Sequence, residues 1–357
     1  MPRMRFGWLT LAHSPSPEDD YVGIEQQLTQ ACYAEQLGFD DVWLTEHNFT
    51  GESVFCDPIP FASALAARTA RVRIGFAVIQ MALRHPIRLA TQLALLDNLC
   101  KGRLDIGVGR GSIYNEYEYT GYGLRSHDSR ARMDEAIEVM TRAWVEEPLV
   151  YNGTYFQVQL PALRPRPYQR PYPPIWRSVV SPTSFTECGR LGVPIMTVRL
   201  PLERIPERLK LYQEGLAAGG HDTATQQRLM QQAAVWRHVY VAESDAQAEA
   251  DLATAMLHTR QHMSHARAAY NPPDFHVDAA LLNPWNNPQV PDAEGIRYTL
   301  DTGAVYGTPQ RVAEQIAALR QAGVQNLLCQ MSFGYMTHDQ IMASMRRFGE
   351  QVLPAFQ

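Results

Sequence analysis

Three stretches of this chain carry residues able to do chemistry. The first ends a strand-like run, Asp41-Val-Trp-Leu-Thr-Glu-His47. Alternate residues of a strand share a face, so Val42 and Leu44 point one way and Trp43, Thr45 and His47 the other. A histidine at such a strand end can give or take a proton near neutral pH; a hydrogen-bonded structural imidazole would leave the same pattern. The second stretch is Arg103-Leu-Asp-Ile-Gly-Val-Gly-Arg-Gly111. Leu104, Ile106 and Val108 share one face, and Asp105, Gly107 and Gly109 the other. Glycines without side chains leave room for a ligand. Arg110 follows, and a guanidinium suits bidentate phosphate binding. The third is Ser181-Pro-Thr-Ser184. Ser181 suits an N-cap and Pro182 a first helical turn. A helix N-terminus ringed by hydroxyls can cradle a phosphate, although capping alone would also explain Ser181.

Other groups weigh less. Glu116 and Glu118, just past Arg110, read as solvated loop carboxylates by default; they could also neutralise Arg110 or line a pocket. Ser126, His127 and Asp128 are adjacent and cannot fold onto one another as a hydrolytic triad, and no Gly-x-Ser-x-Gly motif is present. Gly107-x-Gly109-x-Gly111 lacks the spacing of a dinucleotide fingerprint, and no acidic partner stands clearly about twenty residues on. His258, His262 and His265 sit at i, i+4 and i+7 of a predicted helix. No carboxylate or cysteine joins them, so they read as a solvated face, and no metal site is expected.

The elements that must position these residues alternate. Strands are predicted at 5–11, 39–45, 71–79, 104–108, 175–180, 194–199, 233–242 and 326–331. Helices are predicted at 21–37, 58–69, from Pro86 to about Cys100, at 129–145, 182–191 and 202–218, from about Ser244, and at 308–322 and 337–352. A hairpin is predicted at 149–158 around Asn152-Gly153. Residues 265–305 break the pattern with Pro, Asn and aromatic residues, as functional or mobile segments do. Eight strands alternating with helices imply a parallel sheet and suit closure into a (β/α)8 TIM barrel; an open doubly wound sheet is the competing architecture. In a barrel the functional residues gather at the C-terminal ends of the strands, where all three stretches lie.

Bulk composition removes several function classes. Of 357 residues, 45% are hydrophobic and 19% charged, with a formal net charge of −5. The balance is mildly acidic without a basic run, which argues against nucleic acid or an anionic membrane as partner. No apolar stretch is long enough to span a bilayer, and the N-terminus reads as a first strand rather than a signal peptide. Five scattered cysteines without a Cys-x-x-Cys pair fit reduced thiols in the cytoplasm.

The motifs taken together resemble the bacterial-luciferase-like flavin-dependent monooxygenases. Phe39-Asp-Asp-Val-Trp-Leu-Thr-Glu-His-Asn-Phe49 resembles the family's second-strand motif. Val72-Arg-Ile-Gly-Phe-Ala-Val-Ile79 followed by His85-Pro86, the run from Leu95 to Gly111, Gly307-Thr-Pro-Gln-Arg-Val-Ala313 and Ala322-Gly-Val324 follow in the family's order. The resemblance implies one barrel domain over residues 1–357, with a lid at about 265–305 that shields reduced flavin. It implies that His47 is the catalytic histidine and that Arg110, Ser181, Thr183, Ser184 and backbone near Val180 hold the flavin phosphate. Ala77-Val78 would be a non-proline cis peptide against the flavin ring, with Gly109 nearby. Gly109 stands where luciferase has a reactive cysteine, Asn48 where it has a second histidine, and Val180 where it has a glutamate. These departures argue against light emission and a long-chain aldehyde substrate.

The activity so implied uses reduced FMN (FMNH2) and O2 to hydroxylate a small organic substrate or insert oxygen beside its carbonyl. A separate NAD(P)H-dependent reductase would supply the reduced flavin, and the chain would be a homodimer. Two other readings stay open: hydride transfer with the deazaflavin F420, and a catalytically silent flavin-binding subunit. Trp8, Phe49, Phe55, Glu116, Trp285 and Tyr335 are the candidate substrate-pocket residues; the aromatic ones could equally pack a core.

Overall fold

The computed structural model describes residues 3–198 and 200–357. Eight parallel strands form its centre: β1 (Arg5–Thr10), β2 (Asp41–Leu44), β3 (Arg73–Phe76), β4 (Leu104–Gly109), β5 (Ile175–Ser178), β6 (Ile195–Val198), β7 (Ala234–Val241) and β8 (Asn326–Ser332). Each pairs with the next, and β8 returns to β1 with Arg5 opposite Asn326. The sheet is therefore a closed (β/α)8 barrel, and the doubly wound alternative falls. β7 changes partner along its length. Ala234 to His238 pair with β8, and His238 to Val241 pair with a further short strand, Ala304–Gly307.

Strand alternation divides the apolar residues into two layers. Val42, Leu44, Leu104, Ile106, Val108 and Trp8 join the large core between barrel and helices. Leu9, Trp43, Trp176, Met196, Ala234 and Leu328 fill the barrel axis. The Trp43 indole sits where Gly7 and Gly75 lack side chains: a Cβ on Gly75 would lie 2.3 Å from its ring. It meets Trp176 edge-on at 5.1 Å. This packed floor supports everything above it.

Local signals set the helix ends. Asp57 accepts from the Ile59 N–H ahead of Pro58, Ser244 from the Gln247 N–H, and Thr308 from the Arg311 N–H ahead of Pro309. Thr337 and Gln340 form a capping box. Gly38 closes the first helix at φ 92°.

Several expectations need correction. β1, β2, β3, β5 and β7 end short of their predicted limits at the mouth, whereas β4 and β8 each run one residue further; past Phe76 the chain breaks and pairs again at Ile79–Gln80, opposite Val108 and Gly109 of β4. Arg199, predicted to end β6, lies outside the described residues. Residues 265–305 are not one irregular lid. The helix Asp245–Tyr270 runs through their start, and the helix Asp292–Gly303 closes their end. Only 271–291 lacks longer regular structure. The helix Thr223–Gln232 was not anticipated, since it buries only Leu229. The hairpin forms as Leu149–Asn152 paired with Gln157–Leu160.

Candidate active site

A cavity of about 240 Å³ opens at the C-terminal ends of the strands. His47 lies on its wall just beyond β2. Its Nδ1 is 3.1 Å from Glu118 Oε1 and its Nε2 is 3.4 Å from Glu52 Oε1. Both carboxylates are buried. Glu118 also accepts from Asn115 Nδ2 at 2.7 Å and from Gln80 Nε2. Burial by itself lowers the His47 pKa, but Glu52 and Glu118 outweigh it and raise the pKa to about 9. Burial in turn opposes ionisation of Glu118, but His47, Asn115 and Gln80 hold its pKa below the usual value. At neutral pH the imidazole is therefore held as a cation, with Nδ1 facing Glu118 and Nε2 facing Glu52.

The solvated reading of Glu118 is corrected by this geometry. A short helix, Glu116–Gly121, follows Asn115 and brings Glu118 against His47. Glu52 was not anticipated either; it lies in the loop after His47, with no spacing signal of its own. The ligand atoms of His47, Glu52 and Glu118 lie within 4.8 Å of one another, close enough to hold a metal ion. An imidazolium bonded at both edges accounts for the same closeness without one.

Phosphate-type groups stand on the β4–β5 side. Arg110 is exposed just past β4 and makes no ion pair with a described residue, while its carbonyl accepts from the Tyr119 hydroxyl at 2.6 Å. Ser181 caps the helix Pro182–Arg190, and its Oγ is 2.7 Å from Ser184 Oγ and 3.0 Å from Thr183 Oγ1. Val180, 63% exposed, leaves the backbone beside this cluster open. Val108 pairs with Arg177, so continuing the register sets Arg110 opposite Val179, two residues before Ser181. The Ala77–Val78 peptide is cis, and both residues line the cavity. The glycine face of β4 serves protein neighbours rather than open space. A Cβ on Gly107 would lie 1.9 Å from the Phe76 carbonyl oxygen, and one on Gly109 2.6 Å from Val78 Cγ2. Gly109 thereby lets Val78 approach β4. An exposed guanidinium, a hydroxyl-ringed helix start and a wall at Ala77–Val78 fit a phosphorylated flavin.

The roof comes from the helix Asp245–Tyr270 and the segment after it. Thr259, Met263 and Arg267, one face of that helix, line the cavity with Trp285 and Asn286. Arg260 anchors the segment. It is 3% exposed and donates to the carbonyls of Pro284 (2.8 Å), Trp285, Asn287 (3.0 Å) and Val290 (2.6 Å), and to Asp292 Oδ1 (2.8 Å).

Of the predicted pocket residues, Trp285 lines the cavity. Trp8 faces the helix layer, because strand parity hands the inner position to Leu9. Phe49 is 55% exposed and rests on Gly121 and Tyr122. Phe55 packs on Phe61. Glu116 is buried but pairs with Arg125 at 3.0 Å. Tyr335 donates to or accepts from His262 Nδ1 at 2.7 Å and does not line the cavity. His262 therefore docks on the loop after β8 and is not part of a solvated face. Inner-facing Thr197, Trp236, His238, Leu328 and Gln330 complete the β6–β8 wall; strand alternation marked these positions, but nothing distinguished them from core.

A barrel with a ligand cavity at its C-terminal mouth and a proton-bearing histidine on the cavity wall defines an enzyme of the TIM-barrel class. The luciferase-like monooxygenase family profile matches residues 4–326, and the chain belongs to that family. It is similar to limonene 1,2-monooxygenase of Rhodococcus erythropolis, with 29% identity over 89% of this chain and 78% of the relative. It is 25% identical, over 99% of this chain and 96% of the relative, to the oxygenase component of a flavin-dependent trigonelline monooxygenase from Acinetobacter baylyi. Among solved structures, the monooxygenase RslO1 from Streptomyces bottropensis superposes with a TM-score of 0.82 at 29% identity, covering 99% of this chain and 100% of that one. The chain is thus a luciferase-like flavin-dependent monooxygenase.

Proposed function

We propose that this chain is the oxygenase component of a two-component system that uses reduced FMN and O2 to hydroxylate a small organic substrate or insert oxygen beside its carbonyl. A separate NAD(P)H-dependent reductase supplies the flavin. The observation that carries the reading is the His47 imidazolium, held between Glu52 and Glu118 on the wall of a cavity also lined by Ala77 and Val78. Arg110, Ser181, Thr183 and Ser184, with backbone at Val180, hold the phosphate. Ala77, Val78 and Gly109 shape the surface on which the ring rests. Bound reduced flavin supplies the electrons and activates oxygen. Through Nε2 and Glu52, which also lines the cavity, His47 keeps a proton at the cavity wall, and the roof excludes water. We also propose a homodimer, on the family resemblance, and a cytoplasmic location, on the five unpaired cysteines; no described helix is long and apolar enough to cross a membrane.

The test is anaerobic titration with reduced FMN, then mixing with oxygenated buffer while spectra are recorded. Binding, followed by a transient species distinct from reduced and oxidised flavin, supports the reading. Failure to bind reduced FMN together with tight binding of F420 would move the assignment to deazaflavin hydride transfer.

A further inference from the structure

Arg267 is the only lysine or arginine among the described residues that line the cavity. Its surroundings differ from those of several other buried or half-buried guanidiniums, of which Arg237 donates only to the carbonyls of Trp236 and Leu200. Arg5, Arg73, Arg84 and Arg260 each pair with a carboxylate: Asp41, Asp105, Glu46 and Asp292. Arg103 instead spends its donors on backbone carbonyls and the Thr69 hydroxyl. Arg267 does neither. Its Nε donates to Asn115 Oδ1 at 2.9 Å and its Nη1 to Asn286 Oδ1 at 3.1 Å, and its guanidinium lies 4.9 Å from the centroid of the Tyr114 ring. No described carboxylate comes within ion-pair distance of it. The nearest candidates, Glu52 and Glu118, are bonded to His47. Nη2 has no described protein acceptor.

Two neutral amides and an aromatic face thus fix this guanidinium without a carboxylate in contact. Its support is indirect but firm, since Asn286 belongs to the segment that Arg260 clamps. Burial lowers the Arg267 pKa against the pull of Glu52 and Glu118, so an anion in direct contact would further stabilise the charged form. The planar fork matches a carboxylate. The β7–β8 wall carries Trp236, Leu328 and Phe333 beside His238 and Gln330.

We propose that Arg267 is a specificity-determining residue and that the substrate is a small carboxylic acid with an apolar or aromatic body. Its carboxylate meets Arg267 under the roof, and its body lies against the β7–β8 wall. This rests on the proposed reading of the cavity as the oxygenation site.

The test uses the purified flavin-free chain and matched probes: benzoate against benzamide, and cyclohexanecarboxylate against cyclohexanecarboxamide. Binding is measured by calorimetry and by quenching of tryptophan fluorescence. Each acid should bind about tenfold or more tighter than its amide, and Arg267→Met should abolish that preference. Arg267→Met should still bind reduced FMN, which also serves as its folding control. Asn286→Ala keeps the guanidinium but removes one support, and should weaken acid binding by a smaller factor. The proposal is overturned if neither acid binds, if acids and amides bind alike, or if the preference survives in Arg267→Met. It is also overturned if Arg267→Met loses reduced-FMN binding while the acid preference stays, since the guanidinium would then serve the cofactor. Failure of the wild-type chain to bind reduced FMN strikes the oxygenase reading alone, because the acid–amide comparison is made without flavin.

Discussion

At the scale of single residues, the site turns on one imidazole between two buried carboxylates. Removing it while keeping the cavity separates proton handling from binding. His47→Ala should bind reduced FMN but slow the oxygen-dependent step by about 10²–10⁴-fold, the usual range for a general acid or base. Stopped-flow mixing with oxygen checks this, and full coupled turnover by the variant would remove His47 from the mechanism. The pH dependence has a definite sign. With a pKa of about 9 the imidazolium persists through neutral pH, so the His47-dependent rate should fall only as pH rises toward and past 9. Glu52→Gln removes the largest raising influence, so the alkaline inflection should move toward the ordinary histidine value of about 6.5. An inflection unmoved by Glu52→Gln would mean that Glu118 alone sets the proton affinity.

At the scale of elements, the roof is an anchored structure rather than a free loop. Arg260 reaches from the long helix into 284–292 and ties down four carbonyls and Asp292. Gly295 makes room for it, since a Cβ there would lie 2.6 Å from Nη1. Arg260→Ala leaves those carbonyls without their donor, a loss on the order of 1–3 kcal/mol; the Asp292 side chain, 44% exposed, is taken over by water. Limited proteolysis should then cut within 271–291 much faster than in the parent, with the barrel core still protected. Equal cleavage in both would show that the clamp does not hold the roof. These elements were unevenly legible. His47, Arg110 and Ser181 stand at strand ends that period-two alternation and turn residues mark. The helix Asp292–Gly303 was hidden among prolines and asparagines, although Pro291 and the acidic first turn were its start signals. Helix Thr223–Gln232 is nearly all polar, so it has almost no periodic stripe to read.

At the scale of the whole molecule, barrel closure joins residues from the two ends of the chain. His13, just after β1, accepts from the Gly334 N–H, just after β8, at 3.0 Å. Burial, with His262 and His47 nearby, lowers its pKa to about 3. The unfolded chain therefore takes up this proton at a higher pH than the folded one. The stability contributed by neutral His13 is complete above about pH 6.5 and is lost as pH falls toward 3. His13→Asn keeps an acceptor for Gly334 but does not titrate. Its stability, measured by denaturant unfolding between pH 7 and pH 4 (a range chosen on linkage grounds), should gain on the wild type as pH falls. Parallel curves for the two proteins would remove His13 from the acid response.

By itself the sequence determined the alternation, the sidedness of the strands, the helix starts and the family's motifs, because each is written within a few adjacent residues. Which positions Gly7 and Gly75 protect, which carboxylates hold His47 and which cation roofs the cavity were decided only by tertiary structure. Glu118 shows why. Its neighbours in sequence read as a surface loop, but they form the short helix Glu116–Gly121, which the fold buries against His47. Arg267 is the same case at longer range. On its helix it is one basic residue among several, and it becomes a cavity residue only when Asn115 and the clamped segment at Asn286 converge on it. Contacts between residues far apart in the chain depend on how the whole sheet closes, and no local pattern of side chains encodes that closure.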